Sequence, residues 1–209
     1  MLLSEHFNQD AQQVARLLLG KVLRFKHDNL WLSATIIETE AYYLTDKASH
    51  ASLGFNEKRR ALFMPAGTIY MYYARGGDSL NISCQGDGNA VLIKSGYPFF
   101  DTMSPQSSCL AQMQANNPMK TSRTIRSLNR LCAGQTLLCK SLGITVPAWN
   151  QKLFDAGRFY IEDVGYQPEN IIQTTRLGIP AGRDAHLPYR FIDHGFVKFC
   201  TRWSTRNKT

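Results

Sequence analysis

One short segment, residues 36–42, constrains this chain more than any other. It begins as an apolar strand with two isoleucines and runs directly into two glutamates and an aromatic ring. Because side chains alternate between the two faces of a strand, Glu38, Glu40 and Tyr42 are predicted to share one face. Packing explains poorly why two carboxylates and a ring should stand together at the end of a buried strand. The segment therefore predicts a functional site.

The size and composition of the chain fit one globular domain. Its 209 residues are 44% apolar, which is enough for a full hydrophobic core. The apolar runs are too short to span a membrane, and no basic region followed by an apolar core marks a secretory signal. Five scattered cysteines without a CxxC pair argue against a disulfide framework and against a thiolate zinc site. A reducing cytoplasm is therefore the expected location.

The net charge of +8 lies entirely in the second half of the chain. Residues 1–105 contain 10 basic and 10 acidic side chains, whereas residues 106–209 contain 14 and 6. This asymmetry favours a polyanionic partner, because lysines and arginines that neutralise phosphates release condensed counterions. A basic protein with no nucleic-acid partner is the alternative that charge alone leaves open.

Hydrophobic patterning predicts an α+β fold in a single domain over residues 1–209, with an ordered core of about 9–202. The predicted sheet is mostly antiparallel, with flanking helices and a protruding β-hairpin. Helices are predicted at residues 9–19, capped by Asn8, and at 121–131 and 135–142. Strands are predicted at residues 22–25, 30–39, 69–73, 80–84, 90–94, 159–162, 171–175, 189–192 and 197–200.

Several short motifs follow one another in a fixed order along the chain. They are residues 38–42 (ETEAY), His50, 67–72 (GTIYMY), 81–83 (NIS), 85–88 (QGDG), 138–144, 175–179 and 188–191. Together they resemble the alkyladenine (3-methyladenine) DNA glycosylase family of base-excision repair over nearly the whole chain. The resemblance implies a monomer that binds the minor groove of double-stranded DNA, flips a damaged purine out and hydrolyses its N-glycosidic bond. It implies no metal and no organic cofactor, and a nucleoid or nuclear location according to the host.

The resemblance assigns the role of general base to Glu40, the second acid of the first motif. A carboxylate there can take a proton from water and stabilise the oxocarbenium-like charge on the sugar. Glu38 is left either as a supporting group or as a solvated acid at a strand edge. Lys94 stands where better-known members carry an arginine that helps to hold the water, and lysine loses the bidentate fork. It also leaves open a Schiff-base lyase, which the intact glutamate motif disfavours.

By the same resemblance, five residues line a pocket for the flipped base. Tyr42 forms one wall, with His50 and Tyr72 opposite, because electron-poor alkylated purines favour aromatic faces. Asn81 corresponds to the residue that crowds the 2-amino group of normal guanine. Leu92 matches an apolar pocket residue. Plain strand packing is the alternative for Tyr72 and Leu92, and an incidental loop position is the alternative for His50.

The tip of the predicted hairpin departs from the family pattern, because it is one residue shorter before Asn81. Ungapped alignment places Arg75 at the position of the intercalating wedge, and a shifted gap offers Tyr73 instead. An arginine can fill a base stack with its planar guanidinium group. Contacts with the phosphate backbone are predicted from arginines in the second half, namely Arg123, Arg126, Arg130, Arg176, Arg183 and Arg190.

Two other functions compete with a DNA glycosylase. One is a non-catalytic protein that binds lesions or RNA on the same scaffold, which the joint presence of Glu40, Tyr42, His50 and Asn81 disfavours. The other is a hydrolase of free nucleosides, for which the basic second half and the hairpin would have no use.

Overall fold

The computed structural model describes residues 1–74, 76–119 and 124–201. The described residues form one sheet in which every pairing is antiparallel. Its strands are β1 (Val22–His27), β2 (Leu30–Tyr42), β3 (Ile69–Ala74), β4 (Gly77–Ser83), β5 (Ala90–Pro98), β6 (Phe159–Glu162), β7 (Ile171–Thr174) and β8 (Arg190–Asp193). The α-helices are α1 (Ser4–Phe7), α2 (Ala11–Leu18), α3 (Gln106–Asn116), α4 (Leu128–Leu131), α5 (Gln135–Leu142) and α6 (Val146–Trp149). Short 3₁₀-helices occupy His50–Leu53, Glu57–Phe63 and His194–Phe199.

Strand β2 is the centre of this sheet. The strand order is β3-β4-β5-β2-β1-β6, with β8 also paired to β2 and β7 paired to β8. The first half of β2 pairs with β1, while Glu38, Thr39 and Glu40 have partners on both β5 and β8. These three residues have no solvent exposure. The two acids that stood out in the sequence are therefore interior residues.

The ladder between β2 and β5 changes register on both sides of Glu38. Ile37 is the extra residue on β2, and Lys94 is the extra residue on β5. A bulge of this kind redirects the side chains around it. It accompanies the approach of the Lys94 ammonium group to the carboxylate of Glu40.

Helix α2 packs against β2 on the face opposite Glu40. The Thr39 hydroxyl donates a hydrogen bond of 2.8 Å to the carbonyl oxygen of Ala15 on the helix. The buried residues of this helix, Ala11, Val14, Ala15 and Leu18, recur at helical spacing and form an apolar stripe. The predicted cap is wrong: Asp10, and not Asn8, accepts the backbone N–H groups at the start of the helix.

Two other predicted elements are also wrong. In the predicted basic helix 121–131, residues 124–127 have no regular structure, residues 121–123 lie outside the described part, and only α4 remains. The predicted last strand, 197–200, lies largely in a 3₁₀-helix. There Phe196 and Phe199, three positions apart, both pack against the ring of Tyr97. The helical spacing of these aromatic side chains overrides the strand propensity of the segment.

The β3–β4 hairpin carries Tyr73 to the surface while its second strand packs against α5. The side chain of Tyr73 is 66% exposed. At Gly77, an added Cβ would lie 2.8 Å from the Cβ of Thr136, so only glycine allows this close approach. The strands β3, β4 and β5 form a three-strand antiparallel meander, and the predicted α+β class is confirmed.

The described residues contain neither a disulfide nor a candidate metal site. All five cysteines are buried and unpaired. No group of three or more His, Cys, Asp or Glu side chains in the described ranges could hold a metal ion. In the same ranges, no helix combines the length and the apolar character needed to cross a membrane.

Candidate active site

The carboxylate of Glu40 is fully buried beside a cavity that is lined by aromatic rings. Its Oε2 accepts a hydrogen bond of 2.7 Å from the Tyr42 hydroxyl. The ammonium Nζ of Lys94 lies 3.3 Å from its Oε1, which the backbone N–H of Leu177 approaches at 3.4 Å. Glu40 itself is fully buried, whereas Tyr42, Lys94 and Leu177 line the cavity. The acid therefore lies directly behind the cavity lining, with its charge compensated by residues that form that lining.

The cavity has a volume of about 310 Å³, at the small end of the range for ligand pockets. Each residue predicted to bind the base lies in its lining, namely Tyr42, His50, Tyr72, Asn81 and Leu92. Leu92 lies opposite both Glu40 and Asn81 in the ladders of β5, which brings the three residues to one place in the sheet. The Asn81 amide donates to the carbonyl oxygen of Tyr70 at 3.2 Å, so its orientation is fixed.

Three rings form one wall of this cavity. The His50 ring lies 4.4 Å from the Tyr72 ring, and Tyr72 stacks on Tyr70 at 5.5 Å. A hydrogen bond of 2.9 Å joins His50 Nδ1 to the Tyr70 hydroxyl. Partial burial, followed by the charges of Arg59 and Arg183, lowers the pKa of His50 below its ordinary value of 6.5. The wall thus favours a neutral imidazole.

Tyr42 forms a second wall and is tied to the acid. Burial, together with the adjacent Glu40 carboxylate, raises the pKa of the Tyr42 phenol well above its ordinary value. The hydroxyl group therefore keeps its proton at neutral pH and donates a hydrogen bond to Glu40. One face of the ring is covered by the guanidinium group of Arg176, whose Cζ lies 4.6 Å from the ring centroid.

Glu38 belongs to a separate buried network. It accepts hydrogen bonds from Arg190 Nε at 2.6 Å, from the Ser95 hydroxyl at 2.5 Å and from the Thr201 backbone N–H at 2.9 Å. The alternative of a solvated acid at a strand edge is therefore wrong. Glu38 instead fixes β8 and the segment after it to β2, directly beside Glu40.

Two of the arginines predicted to contact phosphates are interior residues. Arg176 is 4% exposed and forms a bidentate ion pair with Asp46. Arg190 is 7% exposed and pairs with Glu38. Guanidinium groups held by buried carboxylates do not reach a DNA backbone, so the predicted phosphate contacts of Arg176 and Arg190 are corrected to internal ion pairs.

The other arginines predicted to contact DNA are not buried as these two are, or lie outside the described residues. Arg183 is exposed and donates to the carbonyl oxygen of Lys47 at 2.8 Å. Arg126 is half-buried and donates to the carbonyl oxygen of Asn117 at 3.1 Å. Arg75 and Arg123 lie outside the described residues. The phosphate contacts of Arg123, Arg126, Arg130 and Arg183 stay predictions.

Sequence reasoning missed part of the cavity lining. Residues 134–136, at the start of α5, and residues 177–179 both line it, as does Thr201. The sequence identifies residues 175–179 as a family motif, but the role it predicts there is a phosphate contact by Arg176 and not a part of the cavity. The glycines at 134 and 178 were the available signal, since glycine often marks close approach of the backbone to a ligand.

Fold and site define a class of protein that has a cavity between aromatic walls, beside a buried, charge-compensated carboxylate. The family model for methylpurine-DNA glycosylase matches residues 5–196. A Pseudomonas syringae pv. tomato protein named as a 3-methyladenine DNA glycosylase is 65% identical over 201 residues, covering 96% of this chain and 89% of its own length. A Pseudomonas aeruginosa protein of the same name is 60% identical over 196 residues, covering 94% of this chain and 81% of its own length.

A human protein, DNA-3-methyladenine glycosylase, is 33% identical over 200 residues, covering 91% of this chain and 65% of its own length. The chain belongs to the methylpurine-DNA glycosylase family. The resemblance drawn from the motifs is thereby confirmed, and so is the class of enzyme, a hydrolytic DNA N-glycosylase of DNA repair.

Proposed function

We propose that this enzyme flips alkylated or deaminated purines out of double-stranded DNA and hydrolyses their N-glycosidic bond with Glu40 as general base. The lesions are of the 3-methyladenine, hypoxanthine and 1,N6-ethenoadenine type. The enzyme is monofunctional, acts as a monomer from the minor groove and needs no cofactor. Because relatives of 60% identity and more come from bacteria, its proposed substrate is the chromosomal DNA of a nucleoid.

One observation carries this proposal: the fully buried carboxylate of Glu40 contacts three residues, Tyr42, Lys94 and Leu177, that line an aromatic cavity of about 310 Å³. A pocket that only bound a base would have no need of a buried acid with three partners. Burying a carboxylate has a high desolvation cost, which Lys94, Tyr42 and the Leu177 N–H offset here.

In the proposed reaction, water attacks C1′ of the flipped nucleotide as the bond from C1′ to the base nitrogen breaks. The electron pair of that bond leaves with the base, and Glu40 takes the proton that the water loses. Positive charge that develops on the sugar is stabilised by the same carboxylate. General-base assistance of this kind contributes about 10²–10⁴-fold.

Lys94 supports Glu40 and is not the nucleophile of a lyase. Its Nζ lies within 3.4 Å of both carboxylate oxygens of Glu40. An ammonium group engaged in this ion pair is not presented as a free amine for Schiff-base formation. The pairing supports a simple hydrolase.

Selection of the base is proposed to rest on the cavity walls. Tyr42, His50 and Tyr72 stack against the flipped purine, and Leu92 closes the cavity beneath it. Asn81 is proposed to crowd the 2-amino group of guanine, since its amide is held in place by the carbonyl oxygen of Tyr70. Normal guanine is thus rejected by a steric clash with Asn81, and not because it makes weaker contacts with the cavity walls.

The proposed function is tested by measuring base release from matched oligonucleotides. Hypoxanthine, 1,N6-ethenoadenine, 3-methyladenine and normal guanine are presented in duplex and in single-stranded DNA. Release of damaged purines from the duplex, with guanine retained, is expected. Tight binding of damaged duplex without any release would favour the non-catalytic lesion binder instead.

A further inference from the structure

Tyr42 has a cation over one face of its ring and also lines the cavity. The Cζ atom of Arg176 lies 4.6 Å from the centroid of the Tyr42 ring. Arg176 is absent from the cavity lining, to which Tyr42 belongs, and its side chain has no exposed surface. A base that enters the cavity therefore meets the Tyr42 ring and not the guanidinium group.

The guanidinium group is locked in this position. It forms a bidentate pair with Asp46, whose side chain is only 2% exposed, and it donates to the carbonyl oxygen of Ala41 at 3.1 Å. Its Nε has no hydrogen-bond partner among the described residues. A buried N–H left without an acceptor is costly, which indicates that stacking on the ring has a large share in fixing the group.

A cation bound to one face of an aromatic ring changes what the other face can attract. Aromatic faces attract cations because the ring quadrupole places negative potential there. Arg176 offsets that potential and adds direct repulsion toward a second cation across the ring. A cationic purine therefore gains less from stacking on Tyr42, whereas dispersion and area burial still favour a neutral purine.

We propose that Arg176 is a specificity-determining residue that lowers the preference of the pocket for cationic alkylated purines relative to neutral lesions such as hypoxanthine. This inference rests on the proposed function and specifies its substrate class. Arg176 acts through Tyr42 and does not touch the base, so it is a positioning residue. Asp46 partly neutralises the charge of Arg176 and thereby sets how strongly a cationic base in the cavity is repelled.

The test compares single-turnover release of 3-methyladenine, which is cationic in DNA, with release of hypoxanthine, which is neutral. The ratio of the two rates is divided by the wild-type ratio, so that the different intrinsic labilities of the bonds cancel. Arg176→Gln combined with Asp46→Asn removes both charges and keeps hydrogen-bonding groups at both positions. The ratio is expected to rise at least about threefold, because the ring face is released from the cation.

Two single variants sharpen the test. Asp46→Asn alone leaves the guanidinium charge uncompensated, so the ratio is expected to fall below the wild-type value. Arg176→Lys keeps the positive charge and loses the planar fork, so both rates fall while the ratio stays near that of the wild type. Thermal unfolding of each variant establishes that it is folded, and Asp46→Asn decides the question if the double variant is not.

An unchanged ratio, or a shift in the same direction for the double variant and Asp46→Asn, would overturn the inference and leave Arg176 a purely structural residue. Release of 3-methyladenine but not of hypoxanthine by the wild type would also contradict it. Release of neither base by the wild type would instead overturn the proposed function, so the two failures are distinguishable.

Discussion

The ammonium Nζ of Lys94 lies 3.3 Å from Oε1 of Glu40, and both side chains are withdrawn from solvent. Neither strand alternation nor spacing predicts this contact, because a bulge at Lys94 interrupts the ladder between β5 and β2. The pair gives the proposed general base a counter-charge inside the protein.

Lys94→Met is expected to lower both the unfolding temperature and the excision rate, because it leaves a buried carboxylate without its ion partner. Breaking a buried pair on one side costs about 3–5 kcal/mol. Lys94→Arg is expected to retain most of the activity. The measurements are thermal unfolding and single-turnover release of hypoxanthine.

Borohydride trapping completes this test. No covalent adduct with DNA is expected for the wild type, since Lys94 pairs with Glu40. A trapped adduct that disappears in Lys94→Met would show a lyase and would reject the monofunctional mechanism. Lys21→Met, which removes an ion pair with Asp163 outside the cavity, is the matched control for stability.

Tyr42→Phe is expected to reduce the excision rate about 10-fold or more while leaving affinity for abasic product DNA close to that of the wild type. It removes the hydrogen bond of 2.7 Å to Glu40 but keeps the ring that stacks on the base. A hydrogen bond to a charged group is worth about 1.5–3 kcal/mol, which supports that magnitude.

Tyr43→Phe is the matched control for this substitution. The Tyr43 hydroxyl bonds to Asp10 at 2.8 Å, and Tyr43 is not part of the cavity lining. This variant is expected to lose stability without a change in rate. Equal rate losses in the two variants would argue that Tyr42 only supports the fold.

The pH dependence of stability is expected to contain a contribution from His50. Its pKa is lowered in the folded state, chiefly by burial. Below the ordinary value of 6.5 the unfolded chain therefore binds the proton more readily than the folded protein. The contribution of His50 to the free energy of unfolding is present above pH 6.5 and decreases as the pH falls below that value. The decrease is complete only below the lowered pKa of His50 in the folded protein.

His50→Gln removes this contribution. Its unfolding temperature is expected to fall less than that of the wild type between pH 7 and pH 5. The difference is small, because the ring remains partly exposed. His186→Gln, at an exposed position outside the cavity, is the control. A steeper loss of stability in His50→Gln would contradict the assigned direction of the shift.

Arg75→Ala is expected to weaken binding to duplex DNA with an abasic site far more than Tyr73→Ala does. This follows from the family alignment, which places Arg75 at the wedge position, and from the capacity of a guanidinium plane to stack between bases. Tyr73, at 66% exposure, is the alternative wedge. Fluorescence anisotropy with the two variants decides between them, and a larger loss in Tyr73→Ala would move the role to that residue.

Much of the fold follows from local sequence patterns. The stripe of α2 and the bounds of α5 are both visible in the sequence because each depends on neighbours a few positions away. The helix predicted at residues 121–131 was wrong because it rested on local spacing alone. Three arginines at helical spacing carry little information where no apolar stripe accompanies them.

The parts of the site that were missed depend on long-range contacts. Arg176 and Asp46 are 130 positions apart, and only the folded sheet brings the pair under the ring of Tyr42. Arg190 and Glu38, 152 positions apart, meet in the same way. An arginine in a basic half of the chain favours a surface interpretation, and its buried partner is invisible until the strands are paired.

The central claim, that Glu40 is the general base, is tested most directly by Glu40→Gln. Glutamine keeps the shape of the side chain and one oxygen, which can accept from either the Tyr42 hydroxyl or the Leu177 N–H, but it cannot take a proton from water. Glu38→Gln, which alters the neighbouring buried acid, is the control and is expected to lower stability more than rate.

The measurement is single-turnover release of hypoxanthine from a duplex, with affinity for the same duplex determined in parallel. The account predicts that Glu40→Gln folds, binds damaged DNA with near-native affinity and releases the base at least about 10²-fold more slowly than the wild type. Near-native release by the folded variant would contradict it.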